Sequence, residues 1–225
     1  MNEETTLIRQ RIRTPRAAAI AGIVFSLLLI TSLLLIWTSI PSNPLTPAVD
    51  VVRHSRKITF ALNLMSFSGI AFLWFIAVVR DRLGELEDRF FATVFLGSGV
   101  LFIAMIFLAA SLSGGLLTVL ENQSANLVRS GTYDMVRVQV DQVMHIYAMK
   151  MAAVFMSSTS AISLRTGIFP RWMAVLGFVL AILLLLSVTT IEFAPLIFPL
   201  WVLLISIYIL MDNLRGSREF ESSAL

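Results

Sequence analysis

The sequence predicts an all-α fold, a polytopic membrane protein built as a bundle of six transmembrane helices. Three observations predict it. First, 57% of the 225 residues are hydrophobic and only 14% are charged, whereas a soluble domain carries about 25% charged residues. Second, the apolar residues come in continuous blocks, several of them longer than the roughly 18 residues that mark a membrane-spanning helix. Third, those blocks lack the alternation over about ten residues that a membrane β-barrel would show. The chain has no cysteine, which excludes disulfides, iron–sulfur clusters and thiolate metal sites.

The elements follow in order. Residues 1–16 form a basic, polar segment that ends in Arg9, Arg11, Arg13 and Arg16. The apolar block 17–40 is longer than a signal-peptide core of about 7–15 residues, so it reads as a retained helix. Its Ala18 and Gly22 make a small-xxx-small pair suited to close helix approach. Pro41, Pro44 and Pro47 end it. The second span, 58–79, is dotted with Asn63, Ser66, Ser68 and Gly69. The third, 90–111, holds Gly97-Ser98-Gly99, a second close-packing surface.

Residues 112–141 read as the longest segment outside the apolar core. Gly114-Gly115 loosens the helix end, and Ser130-Gly131-Thr132 marks a stop and a fresh start. A helix beginning between Thr132 and Gln142 leads into the fourth span, 142–164. The fifth and sixth, 172–189 and 194–211, are divided near Glu192, because one helix of that combined length would overrun a core of about 30 Å. Pro195 falls in the first turn of the last helix, where it is harmless, and Pro199 lies one turn further in. A polar cytoplasmic tail, 212–225, closes the chain and is expected to be disordered.

Six spans put both termini on one side. On that side fall Arg9, Arg11, Arg13, Arg16, Arg80, Arg82, Arg89, Arg165, Arg171, Arg215 and Arg218; Arg53, Arg56, Lys57, Arg129 and Arg137 fall on the other. The positive-inside bias predicts a plasma (inner) membrane protein with cytoplasmic termini.

The one cation this threading buries is Lys150. It lies eight residues past Gln142, ~12 Å along the helix, where a lysine costs about 2.5–3.5 kcal/mol on insertion scales. Two readings follow. Lys150 either snorkels to the outer headgroups, or it sits in an outer-half polar pocket. Helical spacing puts Tyr147 and Ser157 on its face, and depth offers Asn63, Ser66 and Glu192 from other helices. His145, Asp141 and His54 are interfacial, with Asp141 one turn before His145 and able to hydrogen-bond it. Two histidines are the minimum for bis-histidine haem, but His54 sits in a basic loop with Arg53, Arg56 and Lys57. No cofactor and no metal site is expected.

Asp81-Arg82-Leu83-Gly84-Glu85 resembles over five residues the loop motif of major facilitator transporters. Glu85 and Leu86 stand where that motif has two basic residues, and Ala77 stands where it has an earlier glycine. The stretch reads as a tight, charge-balanced turn. No paired-histidine metal motif, Gly-x-Ser-x-Gly or phosphate loop is present. The expectation is a non-enzymatic scaffold or accessory subunit whose partners are the lipid bilayer and other membrane subunits or itself, and not nucleic acid. A small-solute transporter or channel around Lys150 is the alternative, and a haem or quinone protein the second.

Overall fold

The computed structural model describes residues 3–39, 48–83, 89–129, 131–186 and 193–222, with side chains for 17–39, 51–80, 92–122, 131–186 and 193–213. Helix α1 spans Glu3–Ser39, α2 Ala48–Arg53, α3 Ser55–Leu83 and α4 Arg89–Arg129. Helix α5, Thr132–Gln142, passes through a π-helical turn, Val143–Ala148, into α6, Met149–Thr166. Helices α7, Arg171–Leu186, and α8, Ala194–Ser222, complete the chain. No strand occurs among the described residues. The chain is an all-α membrane bundle.

Four stretches among the described residues are long and apolar enough to cross a membrane: Ala17–Ser39, Ser55–Arg80, Ala92–Asn122 and Ala194–Asn213. Helix α7 is apolar but only 16 residues long, ~24 Å at 1.5 Å per residue.

Contacts between neighbours show that the helices alternate in direction. Ser32 Oγ on α1 donates to the Ala61 carbonyl on α3 at 2.7 Å. Gly22 lies against Ser206 of α8 and Phe75 of α3, Gly99 against Ile76 and Phe155, and Gly177 of α7 against Ser160 of α6 and Trp201 of α8. The expected small-residue surfaces at Ala18/Gly22 and at Ser98/Gly99 do carry helix contacts, while Gly97 faces open space. In a bilayer such close approaches are where association energy comes from, since lipid tails already satisfy apolar side chains.

Helices α1, α3, α4, α6 and α8 converge on a core of phenylalanines. Phe25, Phe72, Phe75, Phe95, Phe102, Phe155 and Phe198 are each no more than 2% exposed. Phe72 lies at the centre, with ring centroids 4.5 Å from Phe25, 5.1 Å from Phe155, 5.4 Å from Phe198 and 5.6 Å from Phe102. Most of these pairs meet edge to face, the arrangement favoured by the ring quadrupole. At one end of the bundle Trp37 and Phe193 meet edge-on at 5.3 Å, an aromatic pair at the depth where a membrane interface is expected.

Two expectations need correction. The third helix does not end near residue 111. Helix α4 runs unbroken through Gly114-Gly115 to Arg129, 41 residues in all. Each glycine costs a helix about 1 kcal/mol, but burial of Leu117 and Leu120, at 5% and 1% exposure, offsets it. The fourth helix begins at the early end of its expected range. It starts at Thr132 after Gly131, whose φ of 70° is the left-handed conformation glycine adopts without strain. The tail at 212–225 is helical as far as Ser222. The break placed at Glu192, the proline-rich connection and the turn at Gly84 lie outside the described residues.

The π turn had no counterpart in the sequence reading. Val140, Met144, Ala148 and Ala152 all pack inward at steps of four residues. In an α-helix of 3.6 residues per turn, each such step drifts by ~40°. The wider π turn absorbs that drift, so one apolar seam continues from α5 into α6.

Candidate functional site

A cleft of about 420 Å³ opens between α3 and α4. Thr59, Asn63 and Ser66 form the α3 wall, at helical spacings of four and three. Phe107, Ser111, Gly114, Thr118 and Glu121 form the α4 wall at spacings of four, three, four and three. Each wall is therefore one stripe of one helix. Gly114 leaves room on the α4 wall: a Cβ there would make only an ordinary contact, with Leu62 at 3.8 Å.

Depth follows from the arginines. Arg80 and Arg89 bound α3 and α4 at the end that carries the chain termini. A core of about 30 Å takes roughly 20 helical residues, which places the opposite plane near Phe60 on α3 and Ala109 on α4. The cleft straddles that plane. Thr118 and Glu121 stand beyond it, Asn63 and Ser66 just below it, and Phe107 at the floor.

Three of the polar side chains are already bonded to their own helices. Asn63 Nδ2 donates to the Thr59 carbonyl at 2.9 Å, Ser66 Oγ to Leu62 at 3.2 Å and Thr118 Oγ1 to Gly114 at 3.0 Å. Back-bonding of this kind satisfies the donors inside lipid. It leaves the Asn63 Oδ1, the hydroxyl lone pairs and the Glu121 carboxylate as acceptors, beside the second Asn63 N–H.

The structure brings Asn63 and Ser66 together in this cleft. It does not bring Lys150 or Tyr147 to its walls: both are exposed on α6 and the π turn before it, Tyr147 at 55%. They share a face, as the spacing predicts, and Ser157 is half-buried with its hydroxyl on the Ala153 carbonyl at 2.9 Å. Glu192 lies outside the described residues. Helix α6 runs beside α4, with the Phe95 and Phe155 centroids 4.6 Å apart. Lys150 is 15 residues from Arg165, ~22 Å along the helix, which leaves its ammonium within snorkelling reach of the far plane.

Lys150→Met is therefore expected to shift stability in detergent by less than about 0.5 kcal/mol. Denaturation midpoints of the two forms would check it. A loss of several kcal/mol would mean a buried partner instead.

His145 Nδ1 stands 2.9 Å from Asp141 Oδ1, inside the region of the π turn. The same nitrogen is 3.2 Å from the Asp141 carbonyl oxygen. His54 is half-buried at the junction of α2 and α3, where its carbonyl accepts from Lys57 and Ile58. No group of three metal-binding side chains occurs among the described residues.

Sequence reasoning named one wall of the cleft and missed the other. Ser111, Thr118 and Glu121 fall at or beyond the point where the glycine pair suggested that the helix dissolves. The signal available was the spacing of Ser111, Thr118 and Glu121, which is helical. No family model matches the chain, and no curated protein or solved structure was found to be similar to it.

Proposed function

We propose that the chain is a non-enzymatic, six-span membrane protein that acts as a scaffold or accessory subunit, with both termini cytoplasmic. The observation that supports this reading is the phenylalanine core. Rings from α1, α3, α4, α6 and α8 fill the middle of the bundle, at the depth where a channel or carrier would hold its substrate. A dry aromatic interior suits a protein whose work is done on its outer faces. Helices α6 and α7 supply the fourth and fifth crossings in this reading, and the arginine bias sets the orientation.

Two measurements test it together. Cysteines introduced as Ser42→Cys and Ser223→Cys should label from opposite sides of the membrane, the first from outside. Proteoliposomes of the purified chain should show no ion or small-solute flux above protein-free vesicles, while mild-detergent extraction followed by mass spectrometry should recover stoichiometric membrane partners. Labelling of both cysteines from one side would remove the six-span threading. Flux abolished by Lys150→Met would replace the scaffold with a transporter.

A further inference from the structure

The cleft between α3 and α4 has a chemical polarity that its position makes specific. Asn63, Ser66 and Thr118 each donate to a carbonyl of their own helix, which leaves the Asn63 Oδ1 and the Glu121 carboxylate at the mouth as acceptors for a ligand. Such a wall takes a ligand that brings N–H donors and positive charge. The floor is the Phe107 ring, and Ser66, Phe107 and Ser111 are all exposed, so the cleft is reached sideways from the bilayer. Its mouth is at headgroup depth and its floor at acyl depth. On α3 the stripe Thr59, Asn63, Ser66 continues outward to Arg56, three residues before Thr59 and itself exposed. Helical spacing thus puts a cation one turn outward of the α3 wall, and the α4 wall carries the Glu121 carboxylate.

We propose that this cleft binds one phospholipid with a primary-ammonium headgroup. The ammonium donates to Glu121 and to Asn63 Oδ1, the phosphate lies towards Arg56, and an acyl chain descends over Phe107. Only a short linker separates ammonium from phosphate in such a headgroup, which suits a carboxylate on one wall and a cation one turn outward of the other. A quaternary headgroup has the same charge but no N–H, so the acceptor wall discriminates against it. This goes beyond the scaffold reading and does not depend on it, since lipid capture is measured on the isolated chain.

The test uses the full chain, purified in mild detergent and stripped of lipid. It is titrated with an equimolar mixture of phosphatidylethanolamine and phosphatidylcholine carrying identical acyl chains, and adducts are counted by native mass spectrometry. One tightly held phosphatidylethanolamine is expected, preferred about tenfold, as a charge-assisted hydrogen bond gained or lost implies. Glu121→Gln, at an exposed position where folding is not at stake, should bring phosphatidylethanolamine down to the phosphatidylcholine level and leave the latter unchanged. Gly114→Leu should fill the cleft and lower both. Equal adducts in the unmodified chain, or a preference that survives Glu121→Gln, would overturn the proposal. So would full displacement by soluble glycerophosphoethanolamine, since recognition would then owe nothing to the acyl chain.

Discussion

Phe72→Ala is expected to cost about 2–3 kcal/mol, the largest loss of any single truncation in the bundle. In water-soluble proteins a buried phenylalanine cut to alanine costs about 3–5 kcal/mol, part of it transfer from water and part of it the cavity. In a bilayer the unfolded helices remain in lipid, so the transfer part largely drops out and the packing part stays. Phe72 is fully buried and touches rings on four other helices, namely Phe25, Phe102, Phe155 and Phe198, besides Phe75 on its own. Removing it opens a hole that no single neighbour can close. Phe67, 60% exposed on the same helix, is the control: Phe67→Ala should be close to neutral. Unfolding in detergent, or by steric trapping in bicelles, would measure both. Equal losses at the two positions would mean that the aromatic cluster does not hold the helices together.

The second expected effect is steric and is written in the glycines. Gly22→Ala and Gly177→Ala should each destabilise the bundle by about 1–3 kcal/mol, the usual range for overpacking. A Cβ on Gly22 would run into Ser206 Oγ and come within 2.9 Å of the Phe75 ring, and one on Gly177 into Ser160 Oγ and within 3.1 Å of the Trp201 ring. Ser160, Ser206 and the Trp201 indole nitrogen have no hydrogen-bond partner, although they are buried. The two serine oxygens pack closely onto glycine, where a Cα–H offers them a weak donor. The two sites should respond differently to rescue. Ser160→Ala removes the atom that the new methyl group at position 177 strikes first, so the double variant should recover much of the loss, with a coupling above about 0.5 kcal/mol. Ser206→Ala should rescue Gly22→Ala only in part, because Phe75 is stacked on Phe72 at 5.9 Å and has nowhere to go. Gly97→Ala and Gly115→Ala meet nothing within 4 Å and should be neutral, or stabilise by up to about 1 kcal/mol through helix propensity. Uniform losses at all four glycines would show that helix geometry, and not these contacts, sets the cost.

These contrasts mark what a linear reading reaches. The spans containing Phe25, Phe72, Phe102 and Phe198 are visible as apolar runs, because membrane residence is a property of composition over some twenty residues. The stripe Ala18/Gly22 is visible too, because small residues four apart are a local pattern. What escapes depends on contacts between segments distant in the chain. Leu117 and Leu120 hold α4 together past two glycines only because other helices cover them. The cleft needs Ser66 and Ser111 on facing helices, and nothing in either helix announces the other. The π turn leaves no mark in composition, since it changes which carbonyl each N–H meets and not which residues are present. Lys150 draws attention by its charge, but which face of α6 is covered is settled by α4 and α7 and not by α6 itself.

An α-helix packed along its whole length has no slack. One residue more or less rotates everything beyond it by ~100°, and a ring such as Phe155 would swing from the core into lipid. The turn from Val143 to Ala148 is the place where that rigidity is relaxed. A π turn is an extra residue already taken in, with the helix on both sides left in phase. The stretch from Thr132 to Thr166 is therefore two helices sharing one axis but keeping separate counts. The part seated among the phenylalanines and the part that reaches past the cleft can each change length or sequence without dragging the other out of step.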